Sequence, residues 1–289
     1  MVAVYSETAL CTPSGRRGAW GIGRTRTLAK VIAVANQKGG VGKTTTSVNL
    51  TASLAATRRR VLLIDLDPQG NATMGAGVDK YALARSSFDV LLGEAPVMEV
   101  AVTVGDPPYD VVPANDDLTG ADVALLEEIG RELRLRTALG PALERYDYII
   151  VDCPPALNML TVNALTAANS IIIPTQCEYY ALEGLTALLT TIDKIRTMLN
   201  PGLEIEGVLR TMYDPRNNLA TDVSGQLLAH FGDKVYNTII PRNVRLAEAP
   251  SHGLPVLSYD KSCAGALAYL ALAGEMLRQN EKAAVAAAG

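Results

Sequence analysis

The sequence predicts an α/β fold: a mostly parallel, doubly wound sheet with helices on both faces. Three observations carry this expectation. Strand-sized runs that are almost wholly apolar recur at 31–35, 61–64, 148–151 and 170–173. Helix-period segments separate such runs, notably 182–199 and 219–231. A glycine-rich loop joins the first run to the first helical segment. A strand without a polar face must be covered on both sides, which is the situation in the parallel sheets of α/β proteins.

The chain has 289 residues, 48% of them hydrophobic and 19% charged. That size suits one large α/β domain, whose core needs no disulfide or metal. The formal net charge is −4, which excludes a globally basic nucleic-acid protein; any DNA contact has to come from a local patch. Cys11, Cys153, Cys177 and Cys263 are scattered, with no C-x-x-C pair. This argues against a zinc site or a disulfide framework and for a reducing compartment. No apolar run approaches the roughly 20 residues of a membrane helix.

In chain order, residues 1–29 hold Arg16, Arg17, Arg24 and Arg26 against one acid, Glu7, with no apolar period. A disordered basic tail is expected. A transit peptide or an upstream start site would share this composition. The domain proper is expected over 30–280. Its first helix should run over 43–57, with Val48, Leu50, Leu54 and Ala55 at helical spacing. Further strands are expected at 205–212 and 235–240 and a last helix at 264–277. The alanine-rich end, 281–289, is expected to fray.

The strongest local signal is the run Lys38-Gly39-Gly40-Val41-Gly42-Lys43-Thr44-Thr45, between the first strand and the first helix. Glycines let successive backbone N–H groups turn toward one anion, and the helix adds its positive N-terminus. Lys43 is placed for the β- and γ-phosphates of a nucleotide, and the Thr44 hydroxyl for Mg²⁺. The fold class is therefore that of a P-loop NTPase. The strict G-x-x-x-x-G-K-[ST] pattern fails, because Gln37 stands where its first glycine would be; an extra lysine, Lys38, opens the loop instead.

The second strand leads into Asp65-Leu66-Asp67-Pro68-Gln69-Gly70-Asn71. Carboxylates two residues apart on an extended chain point the same way, here at the carboxyl end of a parallel strand, where ligands collect. The third motif, Tyr148-Ile149-Ile150-Val151-Asp152-Cys153-Pro154-Pro155, ends an apolar strand on Asp152, placed to bind Mg²⁺ through water. Pro-Pro cannot continue a strand and turns the chain away. Cys153 reads as a small buried residue, with nothing nearby to activate it. No Asn-Lys-x-Asp guanine motif is present, which disfavours a Ras-like GTPase.

These three motifs, in this order, resemble the ParA/MinD group of deviant Walker A ATPases. The segment Ile240-Pro241-Arg242-Asn243-Val244-Arg245-Leu246-Ala247-Glu248-Ala249-Pro250-Ser251-His252-Gly253 is similar to the signature of its ParA/Soj branch. The resemblance covers about residues 30–280. It implies ATP and Mg²⁺ as ligands and an ATP-dependent homodimer in which Lys38 reaches the phosphates of the other subunit. It also implies that Asp67 orients the attacking water and that Asp65 supports the magnesium shell through water. Pro241 and Asn243 would line the adenine pocket, and Arg216 and Arg245 would contact DNA. The implied partners are non-specific double-stranded DNA and a ParB-type centromere-binding protein, with the protein in the cytoplasm on the nucleoid.

Composition alone does not point to DNA, since residues 205–262 hold six Lys/Arg and six Asp/Glu. The stretch from Tyr259 to Ala266 also lacks arginines usual in the branch, so weaker DNA contacts are expected. The alternative is a MinD-like membrane-associated or protein-cargo positioning ATPase. A membrane switch would want a C-terminal amphipathic helix with a basic face, and 279–285 offers none. An iron–sulfur reductase would need paired bridging cysteines. A dead ATPase is disfavoured by the intact Lys38, Lys43, Thr44, Asp67 and Asp152.

Overall fold

Val61–Asp65 and Tyr148–Asp152 are buried at every residue, so the central strands do have cover on both faces. A computed structural model describes residues 28–179 and 181–288. The expected tail at 1–29 lies almost wholly outside the described residues.

The chain begins β1 (Lys30–Val34), α1 (Lys43–Ala56), β2 (Val61–Asp65), α2 (Asn71–Gly75), α3 (Ser87–Leu92) and α4 (Val97–Val100). It continues β3 (Val102–Val104), β4 (Tyr109–Val112), α5 (Ala121–Ala124), α6 (Arg134–Ala138), β5 (Tyr148–Asp152) and α7 (Met159–Ala167). It ends β6 (Ser170–Gln176), α8 (Ala181–Met198), β7 (Glu204–Thr211), α9 (Asn218–Phe231), α10 (Val244–Glu248), α11 (Val256–Tyr259) and α12 (Ala264–Ala288).

The seven strands form one sheet in the order β3-β4-β2-β5-β1-β6-β7, parallel except for the β3–β4 pair. Alternate residues of each strand feed opposite layers, as a period of two requires. Ile32, Val34, Leu63 and Ile150 pack beneath α1 and α12, with Leu50, Leu54, Tyr269 and Leu272. Val31, Ala33, Ile64, Ile149 and Ile171 pack on the other face, with Leu160, Leu185 and Leu188.

Two expectations need correction. Residues 235–240 do not form a strand. They meet β7 through one isolated bridge, Val208 to Val235, and through two backbone hydrogen bonds, Tyr236 N–H to the Val208 carbonyl at 3.1 Å and Ile240 N–H to the Arg210 carbonyl at 2.9 Å. The Tyr236 ring lies flat against Gly207, where any Cβ would collide with it. The guanidinium of Arg210 donates to the carbonyls of Tyr236 and Asn237, so a side chain supplements the two backbone bonds that fasten the segment to β7 without a continuous ladder. The last helix does not stop near 277 but runs to Ala288. Alanine has the best helix propensity of any residue, and nothing in 278–288 breaks the helix.

Candidate functional site

Register fixes the site. Parallel pairing sets Asp65 opposite Asp152, and Asp152 opposite Val34, so two carboxylates stand at the strand ends from which the glycine loop departs. Gly40 and Gly42 adopt φ of 71° and 87°, a left-handed backbone that favours glycine. Cβ atoms at Gly39 and Gly40 would meet no neighbour within 4 Å, so the loop is open on that side. α1 starts without a side-chain cap or an acid in its first turn. Its first N–H groups and its dipole are therefore available to an anion.

Lys43 is buried and its Nζ donates to the carbonyl of Lys38 at 3.1 Å. Burial lowers its pKa, opposed by the charges of Asp152, Cys153 and Asp67. Ser47, one turn along α1, donates to Asp152 Oδ1 at 2.7 Å. The Thr44 hydroxyl also favours the charged form of Asp152. Burial, reinforced by the neighbouring charge of Asp65, nevertheless pushes Asp152 well up. Its Oδ2 is buried with no hydrogen-bond partner. A buried, half-satisfied carboxylate beside a threonine hydroxyl is a donor set that fits a hydrated Mg²⁺. Among the described residues no group of three or more His, Cys, Asp or Glu is placed to hold a metal alone, so phosphate oxygens and water would complete such a shell.

Asp65 is fully buried, and its Oδ2 accepts from the Thr73 N–H and hydroxyl, both at 2.8 Å. Its Oδ1 accepts from the Asp67 N–H at 3.1 Å. Burial raises its pKa, and these hydrogen bonds oppose the rise. The same Thr73 hydroxyl accepts from Ala114 N–H at 2.8 Å, tying α2 to the segment after β4. Asp67 stands just beyond, its Oδ1 accepting from Gln69 N–H at 3.0 Å. Gly70 then turns with φ 61°, where a Cβ would press on the Ala114 carbonyl. Cys153 is buried, and burial pushes its thiol up, as an inert cysteine requires.

Beside the loop lies a cleft of about 350 Å³ bordered by Gly42, Thr45, Met212, Pro241, Asn243 and Tyr269. Thr211 Oγ1 donates to the Val41 carbonyl at 2.8 Å, joining the end of β7 to the glycine loop. Asn243 caps α10, its Oδ1 accepting from Leu246 N–H at 3.3 Å. The loops carrying Arg216 and Arg245 meet at the same end of the sheet: Tyr213 N–H donates to the Ile240 carbonyl at 3.1 Å, and Arg242 N–H to the Tyr213 carbonyl at 3.4 Å.

Both of those arginines are exposed and paired. Arg216 grips Asp214 at 2.9 and 2.7 Å, which holds the Asp214 carboxyl down to about 2. Arg245 lies 2.7 Å from Glu248 and 3.6 Å from Asp260. Arg242, between them in sequence, is exposed and adds its positive charge to the field on Asp214.

The structure thus gathers Lys38, Lys43, Thr44, Asp65, Asp67 and Asp152 around one loop. It sets Thr45, Pro241 and Asn243 in the adjoining cleft and leaves Arg216 and Arg245 on the outer surface. Sequence reasoning missed Ser47, Thr73, Arg242, Tyr269 and Glu178, whose carboxylate lies 2.7 Å from the Lys38 ammonium. Ser47 had a signal: it lies one turn from Lys43, on the same helix face. Arg242 stood within the quoted signature. Glu178, Thr73 and Tyr269 act through contacts remote in sequence and had none.

The AAA domain family matches residues 29–205. The chromosome partitioning protein ParA of Caulobacter vibrioides is 54% identical over 265 residues, 89% of this chain and 98% of that one. The sporulation initiation inhibitor protein Soj of Bacillus subtilis is 53% identical over 249 residues, 86% of this chain and 98% of that one. A solved structure of cobyrinic acid a,c-diamide synthase from Mycobacterium smegmatis, with bound ADP and magnesium, superposes with a TM-score of 0.77. It is 39% identical and covers 88% of this chain and 96% of that one.

Proposed function

The chain belongs to the ParA/Soj family of P-loop ATPases, and we propose that it is a DNA-partitioning switch that dimerises with ATP, holds DNA without sequence preference and lets go on hydrolysis. It is an ATPase whose ligands are ATP and Mg²⁺. The observation that supports the reading best is the Asp65–Asp152 register at the mouth of the glycine loop, with Lys43, Thr44 and Asp67 beside it.

The roles we assign rest on that arrangement together with the family resemblance. The N–H groups at 39–45 and the Lys43 ammonium bind and orient the phosphates. Mg²⁺, when bound, neutralises charge on the β- and γ-phosphates. Asp152 and Thr44 would hold its shell, with Asp65 supporting through water. Asp67 orients the attacking water from a turn that Asp65 and Thr73 keep in place. Lys38 acts on the phosphates of a second subunit, where a cation stabilises charge developing in phosphoryl transfer. Pro241 and Asn243 border the base.

Arg216 and Arg245, with Arg242 beside them, present cations to DNA phosphates once two subunits come together. The acidic partners of Arg216 and Arg245 give way to phosphate, because surface ion pairs are weak. A ParB-type protein is the stimulating partner, and the nucleoid in the cytoplasm is the site of action. Among the described residues, no helix is long and apolar enough to cross a membrane. The test is DNA retention by the purified protein with ATP, with ADP and without nucleotide. Retention with ATP alone is expected; equal retention in all three would remove the switch.

A further inference from the structure

The segment after β4 exposes large apolar side chains where a surface would ordinarily be polar. Val123, Leu126 and Ile129 are 71%, 61% and 97% exposed. Val123 on α5 and Leu126 on the following turn of 3₁₀ helix are three residues apart and share a face, and Ile129 stands in the turn just beyond them. The opposite face, Ala121 and Leu125, is fully buried, which holds the ledge rigidly. Contiguous exposed apolar side chains with a polar rim mark interaction sites.

The rim is mainly acidic: Lys80 lies 3.6 Å from Asp116, Arg134 lies 3.3 Å from Glu128 and Arg131 donates to the Leu126 carbonyl at 3.3 Å, which leaves Asp117, Asp122 and Glu127 without a cation beside them among the described residues. Between residues 114 and 130 the chain carries Asp116, Asp117, Asp122, Glu127 and Glu128 and not one Lys or Arg. Asp116, Asp117, Asp122 and Glu127 are exposed. Asp122 Oδ1 accepts from Met159 N–H at 3.0 Å, which joins the ledge to the start of α7, directly after the loop that follows Asp152. Leu157 in that loop is itself 43% exposed.

We propose that this ledge is a docking surface for a cationic amphipathic segment of a protein partner. Apolar side chains of that segment would cover Val123, Leu126 and Ile129, and its Lys or Arg residues would face the acidic rim. Charge complementarity selects this occupant: a second copy of the ledge would set like charges against each other, and an acidic or neutral peptide would leave the rim unmatched. The Asp122–Met159 tie gives such a partner a direct mechanical path to the loop beside Asp152.

The probe is a fluorescent 20-residue synthetic peptide with leucines at helical spacing and lysines elsewhere, titrated with the full chain. Two variants are compared with the parent, Val123→Ser/Leu126→Ser/Ile129→Ser and, as a charge test that leaves the apolar face alone, Glu127→Lys/Asp117→Lys. Each should weaken binding roughly tenfold or more, with unchanged circular dichroism and unchanged nucleotide affinity. Binding by the parent should weaken with salt, and a matched peptide with glutamate for lysine should not bind. Equal binding by parent and both variants would overturn the proposal. So would variants that keep peptide binding but lose ATP-dependent dimerisation, because the occupant would then be a second copy of the chain.

Discussion

The Lys38 ammonium lies 2.7 Å from the Glu178 carboxylate, joining the entrance of the glycine loop to the turn after β6. Lys38 is therefore held within its own subunit and has to leave Glu178 to reach any other. The pair is partly exposed and is worth under about 1 kcal/mol, weak enough to be exchanged for a phosphate. Glu178→Gln should leave the melting temperature nearly unchanged and lower the ATP concentration that produces dimers. Lys38→Ala should bind one nucleotide per chain and fail to dimerise. Light scattering with ATP reads both. A normal dimer from Lys38→Ala would show Lys38 to be only a surface lysine.

Lys43 is the buried cation of the loop, and the proposed function gives its charge to the nucleotide phosphates. Lys43→Ala should abolish nucleotide binding, because a charge-assisted contact is lost from a buried site. Titration calorimetry with ATP checks it, and parental affinity in the variant would defeat the phosphate-loop assignment.

Asp67 takes one hydrogen bond from Gln69 N–H at 3.0 Å and stands outside the glycine loop. Asp67→Ala should slow turnover by about 10²-fold or more while ATP stays bound, since water positioning is lost and binding is not. The variant should accumulate as an ATP-bound dimer. Hydrolysis at the parental rate would assign the water to another group.

Asp152 and Asp65 are both buried, and burial raises both pKa values, helped at Asp152 by the charge of Asp65 and at Asp65 by that of Asp67. For each, the folded value exceeds the unfolded one, so the folded state binds more protons in the interval between them. Stability is then fully present below the unfolded value, near 4, and falls as pH rises through the folded value. Asp152→Asn removes part of this loss. Its melting temperature should exceed the parent's by more at pH 8 than at pH 5, with a gain of about 1.4 kcal/mol for each pH unit separating the two values. It should also lose Mg²⁺-dependent hydrolysis. A difference independent of pH would mean that Asp152 does not titrate in this range.

Much of this was legible in the chain. The central strands announce themselves because burial on both faces leaves no polar residue, and the loop and the two aspartate runs each carry their chemistry locally. The edge strand β3 and its neighbour β4 were not legible: they are only three and four residues long, β3 is mostly exposed and Asp110 interrupts β4, so neither offers the apolar run that marks a central strand. Residues 235–240 have the composition of a strand, yet Tyr236 stacked on Gly207 and the Arg210 guanidinium take the place of a ladder. The pairs Lys38–Glu178 and Asp65–Thr73 join separate elements, and local pattern cannot reveal a contact that only the sheet order creates. The acids facing Arg216 and Arg245 were visible as neighbours in sequence; their engagement with those arginines was not.

The central claim is that ATP creates a DNA-binding surface containing Arg216 and Arg245. It is tested most directly by measuring double-stranded DNA retention at low and high salt, with ATP, ADP or no nucleotide, for the parent and for Arg216→Glu/Arg245→Glu. The parent should bind only with ATP, without sequence preference, and should weaken steeply with salt as phosphate contacts release counterions. The double variant should keep ATP binding and dimerisation and lose DNA. Equal retention by parent and variant, or no retention by the ATP-bound parent, would contradict the account.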